Sequence, residues 1–175
     1  TGLEISDICA ELTSFIKGRR LDDDCNCLIK FKGGAKGLLH ATQIGIGEEN
    51  NLAIWVHGEK ASLEWHQEHP NYVYFRPNGE PEQVWKRGND YVGALSPAAG
   101  RATRLPSGHP EAFFEAFANN YSNFAETVKD VIAGKKPSAL ATDFPDVKDG
   151  LRGMLFIETV VASSKSKQKW TKMKK

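Results

Sequence analysis

Arg104-Leu105-Pro106-Ser107-Gly108-His109-Pro110-Glu111 divides this 175-residue chain. Upstream of it, alternating segments separated by glycine, proline and asparagine turns read as strands. Downstream, apolar residues recur at three- and four-residue spacing. Ser107 and His109 are available as helix caps, and Pro110 suits a first helical turn, where its missing amide hydrogen costs nothing. Glu111 complements the positive end of a helix dipole. Phe113, Phe114, Phe117, Tyr121, Phe124, Val128, Val131 and Ile132 then form one apolar stripe. The spacing predicts a long amphipathic helix packed on a sheet. Gly134 ends it, with Lys135 and Lys136 near its negative end and Pro137 just beyond.

Working back from that segment, strands are expected at 3–16, 25–31, 36–46, 52–57, 61–67, 72–76 and 83–86, with hairpin turns at Gly33-Gly34 and Asn78-Gly79. The 36–46 strand has two partly apolar faces. Leu38, His40, Thr42, Ile44 and Ile46 lie on one, and Gly37, Leu39, Ala41, Gln43 and Gly45 on the other. Both faces are therefore expected to be covered, one by helices and the other by a second subunit. Residues 87–106 read as a long connection rich in glycine, alanine and proline, a length that often accompanies function. Working forward, a second helix follows. Asp143 with Asp146 resembles a capping box, with Pro145 in the first turn. Lys169-Trp170-Thr171 adds a short edge strand. Strands first and helices last argue for an α+β domain, its helices gathered on one face of an open, mostly antiparallel sheet.

Composition excludes more than it assigns. A net charge of +1 gives no case for nucleic acid, and no apolar run approaches the ~20 residues of a membrane span. Three cysteines, Cys9, Cys25 and Cys27, are an odd, sparse set that fits a reduced cytoplasmic protein. Cys25 and Cys27 share a strand face but lack the partner pair a metal site needs, and His66 with His69 lacks further ligands, so no metal is expected. Asp22-Asp23-Asp24 reads as a solvated loop, without the ligand spacing of a calcium loop. Gly45-Ile46-Gly47 begins like a nucleotide loop but lacks the third glycine, is followed by two acids, and leads into a strand. No nucleophile, acid–base pair or cofactor cradle is apparent. The residues by themselves describe an α+β domain that covers or pairs with something.

Several motifs, taken in order, resemble one family. They are Leu21-Asp22-Asp23-Asp24, Gly33-Gly34-Ala35-Lys36-Gly37, Ala41-Thr42-Gln43, Gly47-Glu48-Glu49-Asn50, Gly58-Glu59-Lys60-Ala61-Ser62-Leu63-Glu64-Trp65, Leu105-Pro106-Ser107-Gly108-His109-Pro110-Glu111, Ala116-Phe117-Ala118-Asn119 and Asp149-Gly150-Leu151-Arg152-Gly153. Together they resemble the C-terminal domain of the Gfo/Idh/MocA oxidoreductases over nearly the whole chain. The resemblance implies an open mixed sheet like that of the C-terminal domain of glyceraldehyde-3-phosphate dehydrogenase. It also implies that 1–175 form a single substrate-side and oligomerisation domain. The parent would carry an N-terminal Rossmann domain binding NAD or NADP, with its catalytic lysine in a Glu-Lys-Pro element there and a catalytic histidine on a helix near the junction. It would oxidise or reduce a sugar, cyclitol or related polyol. This chain is expected to begin just past that helix. It therefore carries no catalytic or cofactor-binding residue of its own and should be inert in isolation. The expected partners are its own Rossmann domain and further copies, as a homodimer or tetramer through the exposed sheet face. Gln43, Arg104 and His109 are the residues expected to face the substrate. The alternatives are a stand-alone module that binds a small carbohydrate, and a purely structural self-association module.

Overall fold

Strands form where the sequence alternates: β1 (Ile5–Thr13), β2 (Asp24–Phe31), β3 (Lys36–Thr42), β4 (Ala53–His57), β5 (Ala61–His66), β6 (Tyr72–Pro77) and β7 (Gln83–Lys86). Helices α1 (Asp90–Leu95), α2 (Pro97–Arg101), α3 (Phe113–Ile132) and α4 (Val147–Ser164) follow, and β8 (Thr171–Lys172) comes last. The structure, a computed structural model, describes residues 2–174. The α+β class expected from the order of elements is observed. The strands divide between two four-stranded sheets, with every pairing antiparallel. The chain forms two compact units. One runs up to Gly47 and resumes at Pro145; the other runs from Glu48 to Phe144.

In the first unit the sheet order is β3-β2-β1-β8. Ile8, Cys27 and Ile29 point to one face and are buried with Val160 of α4, with Leu12, Leu39 and Phe156 packed around them. Gly37 belongs to this face because a Cβ there would stand 3.1 Å from the Phe31 ring. The opposite face exposes Leu28 and Leu38, the latter at 75%. β3 stops at Thr42 rather than continuing to residue 46. The Asp23 carbonyl accepts the Gln43 amide, and the Thr42 hydroxyl accepts that of Ile44, which turns the chain out of the ladder.

Asp23 corrects the expectation of a solvated acidic loop. It is 3% exposed, and its carboxylate accepts the amides of Phe15 at 2.8 Å and Ile16 at 3.0 Å. The Phe15 amide above all, with Ile16 and the Arg19 guanidinium, outweighs burial and holds this carboxyl below the usual aspartate range.

In the second unit β4-β5-β6-β7 form a meander. Phe75 stacks on Trp85 with centroids 4.5 Å apart on one face. On the other, Glu64 bridges the His66 ring and Arg76, with Trp55 edge-on to His66. The segment expected as one long connection contains α1 and α2. They approach through Gly93 and Gly100, where a Cβ on Gly100 would lie 3.2 Å from the Gly93 Cα. Two further expectations are corrected. α3 begins at Phe113, not near Pro110. Its cap is Ala112, whose amide is accepted by Glu115 at 2.8 Å. α4 is capped by Asp146 rather than Asp143, with Asp149 as the return partner.

The α3 stripe is not a buried core face either. No residue of α3 is buried. Its opposite, polar face holds the unit together. Arg101 donates to Asn123 and Glu126, Arg104 to Asn119 and Ser122, Asn123 to the Asp143 carbonyl, and Thr127 to the Ala141 carbonyl.

Candidate functional site

The Arg104–Glu111 segment is a built loop rather than a helix start. Gly108 takes φ +82, a left-handed conformation open to glycine without strain. The His109 amide donates to the Pro106 carbonyl at 3.2 Å and closes the turn. Glu111 folds back into the loop instead of serving a helix dipole. One carboxylate oxygen accepts the amides of Arg104 at 2.7 Å and Leu105 at 2.5 Å, and Arg87 Nη1 at 2.9 Å.

Arg87, just past β7, sits under this loop. Nε donates to Asn71 Oδ1 at 2.7 Å, Nη1 to the Leu105 carbonyl at 2.9 Å, and Nη2 to the His109 carbonyl. Asn71 pairs with the Glu111 backbone at both ends. Its Oδ1 accepts the Glu111 amide at 3.0 Å, and its Nδ2 donates to the Glu111 carbonyl at 2.9 Å. Gly88 completes the seat: a Cβ there would stand 2.9 Å from the Ser107 nitrogen. The His109 ring is exposed, and its Nδ1 lies 3.4 Å from the Ser107 carbonyl. His109 is thus held at its backbone, with ring Nδ1 against the Ser107 carbonyl and the ring itself exposed.

Of the three residues expected to face a substrate, Arg104 and His109 lie in this one loop. Arg104 Nε and Nη2 are engaged by Asn119 and Ser122, each at 2.9 Å. Gln43 lies in the other unit, just past β3, with an exposed side chain. Beside α2 and α3 a concavity of about 340 Å³ is lined by Arg101, Asn119, Asn120, Asn123 and Asp143. Among the described residues, no group of three or more histidines, cysteines or carboxylates is placed to hold a metal ion. Arg87 and Asn71 escaped the sequence reading, and Glu111 was read as a helix-dipole partner rather than as a loop anchor. The only signal for the set was Pro110-Glu111 inside the family motif.

The family description "Oxidoreductase family, C-terminal alpha/beta domain" matches residues 7–173. The chain belongs to the Gfo/Idh/MocA oxidoreductase family, as its C-terminal domain. Among solved Gfo/Idh/MocA relatives, an oxidoreductase from Sinorhizobium meliloti is 40% identical with a TM-score of 0.87, over 97% of this chain and 47% of that one. An inositol dehydrogenase homologue from Azotobacter vinelandii, solved with NADH and myo-inositol, is 34% identical with a TM-score of 0.85, over 98% of this chain and 45% of that one. The uncharacterized oxidoreductase YfiI of Bacillus subtilis is 29% identical over 98% of this chain and 43% of its own length. The chain thus spans about half the length of these relatives. No described helix is long and apolar enough to cross a membrane.

Proposed function

We propose that residues 1–175 act as the substrate-side and oligomerisation domain of an NAD- or NADP-dependent oxidoreductase acting on a sugar, cyclitol or related polyol. One observation carries this reading: the family match over 7–173, with an inositol dehydrogenase homologue at 34% identity. In this reading the cofactor and the catalytic residues belong to an N-terminal Rossmann domain, and the present chain walls the substrate. The His109 ring, exposed on a preformed loop, is suited to a hydroxyl through Nε2, since Nδ1 faces the Ser107 carbonyl. The Gln43 amide has the same capacity. Arg104 contributes Nη1, the guanidinium nitrogen its α3 partners leave over. Copies associate through open sheet faces, where Leu28 and Leu38 are exposed on one sheet and Trp55 on the other. The sparse cysteines accord with a cytoplasmic setting.

The test compares the whole natural polypeptide with the 175-residue chain. Calorimetric titration with NADH and NADPH is followed by turnover assays on myo-inositol with NAD⁺. The whole protein is expected to bind cofactor and transfer hydride, and the 175-residue chain to do neither. Saturable cofactor binding by the chain itself would sink the reading. His109→Ala and Gln43→Ala, in the whole protein, should raise KM for the polyol and leave cofactor affinity unchanged.

A further inference from the structure

Arg87 is largely covered, yet more bonds converge on it than on the His109 ring it underlies. Its guanidinium meets the loop at both ends of the turn, at the Leu105 and His109 carbonyls, and meets the Glu111 carboxylate between them. Its side chain is 17% exposed and that of Glu111 5%. The two charges therefore face each other largely out of water, each with further hydrogen-bond partners, the condition under which a buried pair is well held. Every bond in the set ends on loop backbone, on the Glu111 carboxylate or on Asn71. None ends on the side chain of Ser107 or His109. The loop's shape is thus fixed without using the groups it presents.

From this convergence we infer that Arg87, with Glu111 and Asn71, is the positioning residue of the His109 loop: it holds the imidazole in its binding place before any polyol arrives. The inference rests on the proposed role of His109 as a polyol-binding residue. Preorganisation of this kind improves affinity by removing the ordering cost at binding. Lysine cannot replace arginine here, since a single ammonium cannot reach two carbonyls, a carboxylate and an amide oxygen in a planar fork.

Two measurements on the whole natural polypeptide test it. The first needs no ligand: hydrogen exchange followed by mass spectrometry. In Arg87→Lys, peptides covering 104–111 should exchange about tenfold faster while those covering β4–β7 stay unchanged, since local bonds set local opening. Glu111→Gln keeps an acceptor for the two amides and removes the charge. It is the gentler second variant and should shift the same peptides in the same direction by less. Unchanged exchange at 104–111 in both variants overturns the inference. So does faster exchange across β4–β7, because Arg87 would then support the sheet rather than the loop.

The second measurement is kinetic, with myo-inositol and NAD⁺. Arg87→Lys should raise KM for myo-inositol about tenfold and leave KM for NAD⁺ unchanged. In a His109→Ala background the same substitution should add less than about twofold, because Arg87 acts through His109. An equal rise in both backgrounds overturns the positioning role. A whole protein that neither binds nor turns over a polyol defeats the proposed function instead, and the exchange result still decides whether Arg87 sets the loop.

Discussion

The Ser163 hydroxyl donates to the Ile8 carbonyl at 3.1 Å and accepts the Ala10 amide at 3.0 Å. β8 pairs with β1 only at Asp7 and Ile8, so the rest of that edge lacks a strand partner. Serine hydroxyls of α4 take its place, Ser163 at Ala10 and Ser164 at Leu12. Ser163→Ala removes one partner and leaves buried backbone groups unmatched. The expected cost is about 1–3 kcal/mol, read from urea unfolding. Ser164→Ala, whose site is more open, should cost less.

Asp23 makes the first unit sensitive to acid. Its folded pKa lies below the ordinary value, chiefly because the Phe15 amide donates to it. A carboxyl depressed on folding contributes stability above its unfolded pKa of about 3.9, and that contribution is lost as pH falls through the folded value. The wild-type chain should therefore lose stability faster than Asp23→Asn on acidification below about pH 4. Parallel unfolding curves for the two proteins across that window would contradict this.

Cys27 should be chemically silent. It is 1% exposed, and burial, aided by the neighbouring Cys25 thiol at 3.5 Å, pushes its pKa up to about 12. The thiolate is the reactive form, so almost none is present near neutrality. Iodoacetamide at pH 8 should label Cys27 only under denaturing conditions. Labelling of Cys27 in the folded protein at the rate of an exposed thiol would contradict the packing described.

Two glycines separate backbone strain from collision. Gly88 and Gly108 have φ of +81 and +82. A Cβ on Gly108 meets nothing within 4 Å, whereas one on Gly88 meets the Ser107 nitrogen at 2.9 Å. Gly108→Ala should cost about 1–2 kcal/mol for the left-handed conformation alone. Gly88→Ala carries that cost and also displaces the Pro106–Ser107 backbone, so its unfolding midpoint should be the lower of the two.

Much of the fold was legible because local chemistry decided it. The hairpin glycines Gly33, Gly34 and Gly79 carry positive φ, and Gly134 ends α3 as its place after the apolar stripe implied. Helix starts were harder, because several plausible caps stood side by side. Asp143-x-x-Asp146 and Asp146-x-x-Asp149 are the same pattern three residues apart. The second wins because Phe144 packs on Phe124 and the Asp143 carbonyl accepts Asn123, which holds the segment outside a helix. Ser107, His109 and Pro110 likewise imitate a helix start, but Glu111 is taken by the Arg104 and Leu105 amides. α1 and α2, of 6 and 5 residues, are too short to show a period. Arg87 and Asn71 were invisible as site residues, because their partners lie 16 to 40 positions away and no local pattern records them.

Because the first unit is interrupted, it cannot be finished as it is made. Its three leading strands leave the ribosome long before α4 and β8, with the whole stretch from Glu48 to Phe144 still to come. At roughly 5–20 residues per second, roughly a hundred intervening residues take on the order of 5–20 s to synthesise. Through that interval the apolar face of Ile8, Cys27 and Ile29 has no Val160 to cover it. A nascent chain of this design presents a sticky, half-built sheet to the cell for seconds, so its yield depends on how well chaperones shelter it, rather than on its finished stability alone.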